Sequence, residues 1–249
     1  MSQPEICVLK TDGTNCDQEM AFAFEVAGAK PDIVHVNEIR SGEKSLADYA
    51  GLGLPGGFSY GDDIASGAVL ANELTAYLGE ELQGLIDDKK PVIGVCNGFQ
   101  VLTRTGLLPN RTLGEQQATL AHNQTGRFVC KWANLRAQDS VCVFAPQDEF
   151  ETELLPMQGA HGEGRFTAQP AVLDELQRRK QIVFTYDDNT NGSSLDIAGI
   201  CDPSGVVLGM MPHPERSAGA FHPDRSLTEA ARSVGAVIFN NFVKYAKEL

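Results

Sequence analysis

Residues 91–98 read Pro-Val-Ile-Gly-Val-Cys-Asn-Gly, a run with no polar position before the cysteine, and the next residues, Asn97 to Thr105, carry helical spacing. A strand with one wet face alternates apolar and polar residues. One that is apolar throughout must be covered on both sides, as in a parallel sheet sandwiched between crossover helices. Such a strand commits the chain to an α/β architecture, and its surroundings agree. Ile6 to Leu9, Asp32 to Val36 and Tyr49 to Leu54 read as strands, while Asp17 to Ala27, closed by Gly28, and Gly67 to Asp87 read as helices. From Leu108 to Gly164 the pattern turns irregular, and hairpins are expected around the β-rich pieces Arg127 to Trp132 and Val141 to Phe144. Ile182 to Tyr186 and Val206 to Met211 are expected strands separated by the polar DDNTNGSSLD, and Leu227 to Lys247 is expected to be one closing amphipathic helix. With no repeat and no linker, residues 1–249 read as a single three-layer α/β domain.

Composition removes several function classes. No segment reaches the roughly 18 consecutive apolar residues of a membrane span, and the N-terminus lacks the basic start and small-residue cleavage site of a secretion signal. The six cysteines form no CxxC pair, which fits reduced thiols and a cytoplasmic location rather than a zinc ribbon or a disulfide framework. A formal charge of −13 opposes a nucleic-acid surface, which needs a basic stripe, and suits a basic face on a protein partner.

Within Gly94-Val95-Cys96-Asn97-Gly98 the cysteine sits where a buried strand must turn sharply into a helix, with small residues two positions before and after it. That is the pattern of a nucleophile elbow, and the helix N-terminus favours an anion there. The competing reading is a structural cysteine in an ordinary strand. A nucleophile of this type needs a base. His213 follows an apolar strand in Gly209-Met210-Met211-Pro212-His213-Pro214-Glu215-Arg216, where prolines fix the backbone and Glu215 can turn back toward the imidazole; without Cys96 the segment would read as a surface turn. His35 reads as a core or edge residue, and His122 and His222 as solvated. His161, within Ala160-His161-Gly162-Glu163-Gly164-Arg165, belongs either to a backbone that approaches a ligand closely or to a plain surface loop. The Gly-Gly turn at Pro55-Gly56-Gly57 leaves amides free to face an oxyanion, with Gly57 and Asn97 as the donors. No phosphate-loop pattern is present.

The segments LPGGFSYGDD (54–63), GVCNGFQVL (94–102), AHGEGRF (160–166) and GMMPHPER (209–216) resemble the class I, or triad, glutamine amidotransferases. Together with GTNCD (13–17), NGS (191–193) and IAGI (197–200), they most resemble the glutaminase subunits of phosphoribosylformylglycinamidine synthases. The likeness spans nearly the whole chain. It departs at Lys10-Thr11-Asp12, where Phe-Pro is expected, and across residues 113–136. The resemblance implies a flavodoxin-like fold with a mostly parallel central sheet. It also implies Cys96 as nucleophile, His213 as general base and acid, Glu215 as its orienting partner, Gly57 and Asn97 as oxyanion donors, and Gln100 in the glutamine site, where His161 is a further candidate. No metal or cofactor is expected in this chain. ATP and Mg are expected on a partner synthetase subunit, which would use the released ammonia to convert formylglycinamide ribonucleotide to formylglycinamidine ribonucleotide, with a small accessory subunit alongside. Rival readings are a glutaminase subunit serving a different synthetase, a non-catalytic regulatory protein on the same scaffold, and a cysteine hydrolase acting on peptides.

Overall fold

The computed structural model describes residues 3–219 and 224–249. In chain order the first part gives β1 (Glu5–Lys10), α1 (Asp17–Val26), β2 (Lys30–His35), α2 (Val36–Arg40), β3 (Gly51–Leu54), α3 (Ala68–Tyr77), α4 (Gly79–Asp87), β4 (Val92–Val95) and α5 (Asn97–Thr105). There follow β5 (Ala118–Ala121), β6 (Val129–Ala137), β7 (Leu155–His161), β8 (Arg165–Ala168), α6 (Pro170–Arg178), β9 (Ile182–Tyr186), β10 (Ile197–Cys201), β11 (Val207–Met210), α7 (Glu229–Arg232) and α8 (Val234–Glu248). Nine strands form one sheet in the order β2-β1-β3-β4-β11-β10-β9-β6-β7, and β5 pairs with β8 apart from it.

The first five strands of that order run parallel, and the remaining four extend the sheet in antiparallel steps. Because successive side chains on a strand point to opposite faces, β3 locates the outer layers: Gly53 faces Met20 and Phe24 of α1, and Leu54 faces Gly98 of α5. Phe24 packs edge-on against Phe239 of α8 with ring centroids 5.0 Å apart, and Phe99 of α5 stacks on Phe166 of β8 at 6.2 Å. Val92, Ile93 and Val95 of β4 are buried between these layers, as a continuous apolar strand must be. At the far end of the sheet β7 has a ladder neighbour only in β6 among the described residues, and its other edge meets the segment after β11 through a bridge between Gln158 and His213. No helix among the described residues is long and apolar enough to cross a membrane.

Four expectations need correction. The stretch Gly67 to Asp87 is two helices, broken at Leu78, whose φ of −120° and ψ of 17° leave the helical region. The closing helix is likewise split, at Ser233. Val141 to Phe144 is not a strand: the amides of Val141 and Val143 bond to Lys180 and Gly205 in turns, so the segment alternates in burial without joining a ladder. Between Ile182–Tyr186 and Val206–Met211 a further strand, β10, separates the two expected ones in the sheet. His222 lies outside the described residues.

Candidate active site

Cys96 stands between β4 and α5 with φ 52° and ψ −105°, a strained combination for a residue with a side chain. Neighbours hold it there. Its N–H donates to Met210 O at 2.8 Å, and Gly98 packs so tightly under β3 that a Cβ would come within 2.0 Å of Leu54 O. The elbow expected from the spacing of Gly94 and Gly98 is therefore present, and its second glycine is required by packing.

The parallel pairing of β4 with β11 sets Val95 opposite Met210, so the chain leaves β11 alongside the elbow. His213 N–H donates to Gln158 O at 2.8 Å, and the 3-10 turn Pro214–Ser217 carries Glu215 back to the ring, where Oε1 meets Nδ1 at 2.5 Å. Both side chains are buried. Burial alone would lower the histidine pKa. The Glu215 carboxylate, aided by the neighbouring Cys16 and Cys96 thiols, reverses this and raises it well above the usual value. Nε2 is buried and, among the described residues, has the Cys16 and Cys96 thiols near it but no hydrogen bond of good geometry; the Cys96 thiol donates instead to Ala160 O at 3.6 Å. Catalytic hydrogen bonds are often long or misaligned before substrate arrives. A rotation of the thiol from Ala160 O toward His213 would join the three residues.

A fourth side chain completes this cluster. Cys16, at the start of α1, accepts from Arg216 Nη2 at 3.4 Å, and burial pushes its thiol pKa up. Cys16, Cys96 and His213 converge on Gly56, where an added Cβ would stand 2.7 Å from His213 Cε1, 3.3 Å from Cys16 Sγ and 3.3 Å from Cys96 Cβ. Cys16, His213 and Glu215 are all buried, with potential ligand atoms within 4.8 Å of one another. His213 Nδ1 and Glu215 Oε1 are engaged with each other at 2.5 Å, so these two atoms do not hold an ion between them.

Next to Gly56, Gly57 has φ 138° and its N–H makes no backbone hydrogen bond among the described residues. Asn97 is the first residue of α5, where amides have no partner within the helix. The Asn97 side chain ties this corner together: Nδ2 donates to Asp62 Oδ1 at 3.1 Å and Gln100 Oε1 at 3.0 Å, and Oδ1 accepts from Ser59 N at 3.4 Å. Gln100 Nε2 in turn donates to Glu163 O at 2.6 Å, fastening the loop after β7 to α5. Asp62 is desolvated, which raises its carboxyl pKa, and it accepts from Ser66 Oγ at 2.9 Å and Gly67 N at 3.2 Å.

His161 is buried at the end of β7, so the surface-loop reading is set aside. Its Nδ1 lies 3.0 Å from Asn123 Oδ1, and burial, with a smaller effect from the nearby charge of His213, pushes its pKa down to about 4. The other described histidines stay outside the cluster. His35 caps α2, accepting from Asn37 N at 3.2 Å, and the His122 side chain is 83% exposed.

Comparison with known proteins bears on this geometry. The family model of the CobB/CobQ-like glutamine amidotransferase domain matches residues 3–246. The chain belongs to this glutamine amidotransferase family. It is 41% identical over 268 residues to a phosphoribosylformylglycinamidine synthase subunit PurQ of Methanococcus maripaludis, covering 97% of each chain. It is 40% identical to the PurQ subunit of Dehalococcoides mccartyi over 100% of both. A chain in the structure of PurLQS from Thermotoga maritima superposes with a TM-score of 0.74 at 32% identity, covering 96% of this chain and 99% of that one.

Among the residues singled out for this amidotransferase, Cys96, His213 and Glu215 converge. Asn97 follows Cys96, Gly57 follows Gly56 (which packs on Cys96 and His213), Gln100 lies a turn along α5, and His161 follows Ala160, whose carbonyl accepts the Cys96 thiol. Cys16, Asp62 and Asn123 were missed. Cys16 and Asp62 lie inside GTNCD and GFSYGDD, so the motifs marked them without indicating a task. Asn123 sits in an ordinary polar stretch, and only the fold brings it to His161.

Proposed function

We propose that the chain is the glutaminase subunit of phosphoribosylformylglycinamidine synthase, hydrolysing glutamine to glutamate and ammonia for de novo purine biosynthesis. The observation that carries the reading is the buried His213–Glu215 pair beside an elbow cysteine, within a chain related to PurQ subunits over its full length. In the proposed cycle the Cys96 thiolate attacks the side-chain amide carbon of glutamine, and the N–H groups of Gly57 and Asn97 receive the oxyanion. The C–N bond breaks as protonated His213 gives its proton to the departing nitrogen, leaving ammonia and a glutamyl thioester. Neutral His213 then takes a proton from water, whose oxygen displaces the thiolate and yields glutamate. Glu215 holds the imidazole in one tautomer and balances its charge. Gln100 and His161 belong to the glutamine site.

Ammonia is useful as a nucleophile only while unprotonated, so we infer delivery to a PurL-like synthetase subunit, with a PurS-like accessory subunit in the same complex. ATP and Mg act on that synthetase, and this chain carries no metal or cofactor of its own. We read the chain as one cytoplasmic amidotransferase domain with no nucleic-acid or membrane partner. Reconstituting the complex with Cys96→Ala tests the scheme. Synthesis should fall to background with glutamine and persist with an ammonium salt; surviving glutamine-dependent synthesis would overturn it.

A further inference from the structure

The tautomer of His161 is fixed by its neighbour. Asn123 Nδ2 donates to Arg127 O at 2.9 Å and to His161 O at 2.8 Å, while Asn123 Oδ1 accepts from Gly164 N at 3.1 Å. Both carbonyls need a donor and the amide needs an acceptor, so the Asn123 side chain has one orientation. Its Oδ1 therefore faces His161 Nδ1 at 3.0 Å, and Nδ1 must carry the proton. Nε2 is left as a bare acceptor, and no described group hydrogen-bonds to it.

The two edges of the ring have different surroundings. On the Nδ1 side Gly164 packs so closely that a Cβ there would fall 2.1 Å from Nδ1. On the Nε2 side the packing is looser: a Cβ added at Gly159 would meet Nε2 at 3.6 Å, an ordinary van der Waals contact. The ring follows directly after Ala160, whose carbonyl accepts the Cys96 thiol at 3.6 Å. It is also close enough to His213 for a charge on that residue to disfavour one on His161. The result is an uncharged acceptor on the residue that follows Ala160, whose carbonyl faces the Cys96 thiol.

We propose that His161 Nε2 accepts a hydrogen bond from the carboxamide nitrogen of bound glutamine, the atom that leaves as ammonia. The assignment rests on the glutaminase reading above. It adds a task that His213 and the oxyanion donors do not perform. When the carbonyl carbon becomes tetrahedral, the nitrogen gains a lone pair that must point at His213 to receive its proton. An acceptor holding one of the nitrogen's own hydrogens from another side sets that orientation. Locked as the Nδ1–H tautomer and held neutral, His161 has no proton to offer at Nε2, so the released molecule leaves it as NH3.

A paired substrate comparison tests the role, because glutamate γ-methyl ester is attacked by the same thiolate but has no N–H on its leaving group. With the chain assembled on its synthetase, His161→Leu should lower kcat for glutamine about tenfold, the scale of one lost hydrogen bond in a transition state, and change kcat for the ester less than about twofold. His161→Gln, which restores an acceptor oxygen, should recover part of the glutamine rate. Equal losses on both substrates in both variants would reduce His161 to a structural part, and an unchanged glutamine rate would also overturn the proposal. A wild-type complex that hydrolyses neither substrate would refute the underlying glutaminase reading before any variant was compared.

Discussion

Glu215 is a carboxylate with its whole side chain out of water, and it remains tolerable there because it is paired with the His213 ring. Replacing it with glutamine keeps the shape and removes the charge. The raised pKa of His213 should then fall, since burial, which lowers it, would lose its main opponent. In the proposed cycle, imidazolium is the form that protonates departing ammonia. Glu215→Gln should therefore move the alkaline limb of the kcat profile to lower pH and reduce kcat by about a hundredfold or more, as loss of the orienting carboxylate does in other triads. A pH profile of glutamine hydrolysis by the assembled complex measures both effects. At this scale the sequence was informative where chemistry forces a pattern on neighbouring positions. Cys96 lies between Gly94 and Gly98, and His213 lies between prolines two residues ahead of Glu215. It was silent where the partner is distant in the chain: Asn123 and His161 are 38 residues apart, and nothing local in either reveals the other.

The hairpin of β10 and β11 delivers His213, and its turn depends on one side chain. Asp202, fully buried, accepts from Ser204 N at 3.0 Å, Val206 N at 2.9 Å and Val207 N at 2.8 Å, and Arg111 stands 3.6 Å away. Asp202→Ala would strand the buried amides of Val206 and Val207. A loss of about 3 kcal/mol is expected, read as a lower urea midpoint with an unchanged slope. The parallel strands were legible because their apolar runs leave no alternative. β10 was not: Ile-Ala-Gly-Ile-Cys is short, follows a turn-rich stretch, and becomes a strand only between β9 and β11. The break at Leu78 was equally hidden, since apolar periodicity continues through it and Gly79, which follows, is a weak signal on its own.

For the molecule as a whole, His161 makes stability depend on acidity. The unfolded chain takes up a proton at this residue near the ordinary value of 6.5, whereas the native site resists protonation until about 4. Its contribution is thus complete above 6.5 and is lost as the pH falls through that interval, by about 3 kcal/mol at most. Urea titrations between pH 7 and 4 should show this slope in the wild type and a shallower one in His161→Gln. His213 has the opposite sign, because its native form keeps the proton, and its contribution fades only as the pH rises through its raised pKa. The doubly covered half of the sheet could be read from residues 1–105. The antiparallel extension could not, because its pairing depends on which edge is left open once the parallel strands have assembled. That extension ends at β7, and an open strand edge is a template on which copies of a protein can stack. Here Gln158 O, on that edge, accepts the amide of His213. The His213 amide thus occupies one acceptor of that edge, so a substitution that displaces the histidine would also free Gln158 O to pair with another chain.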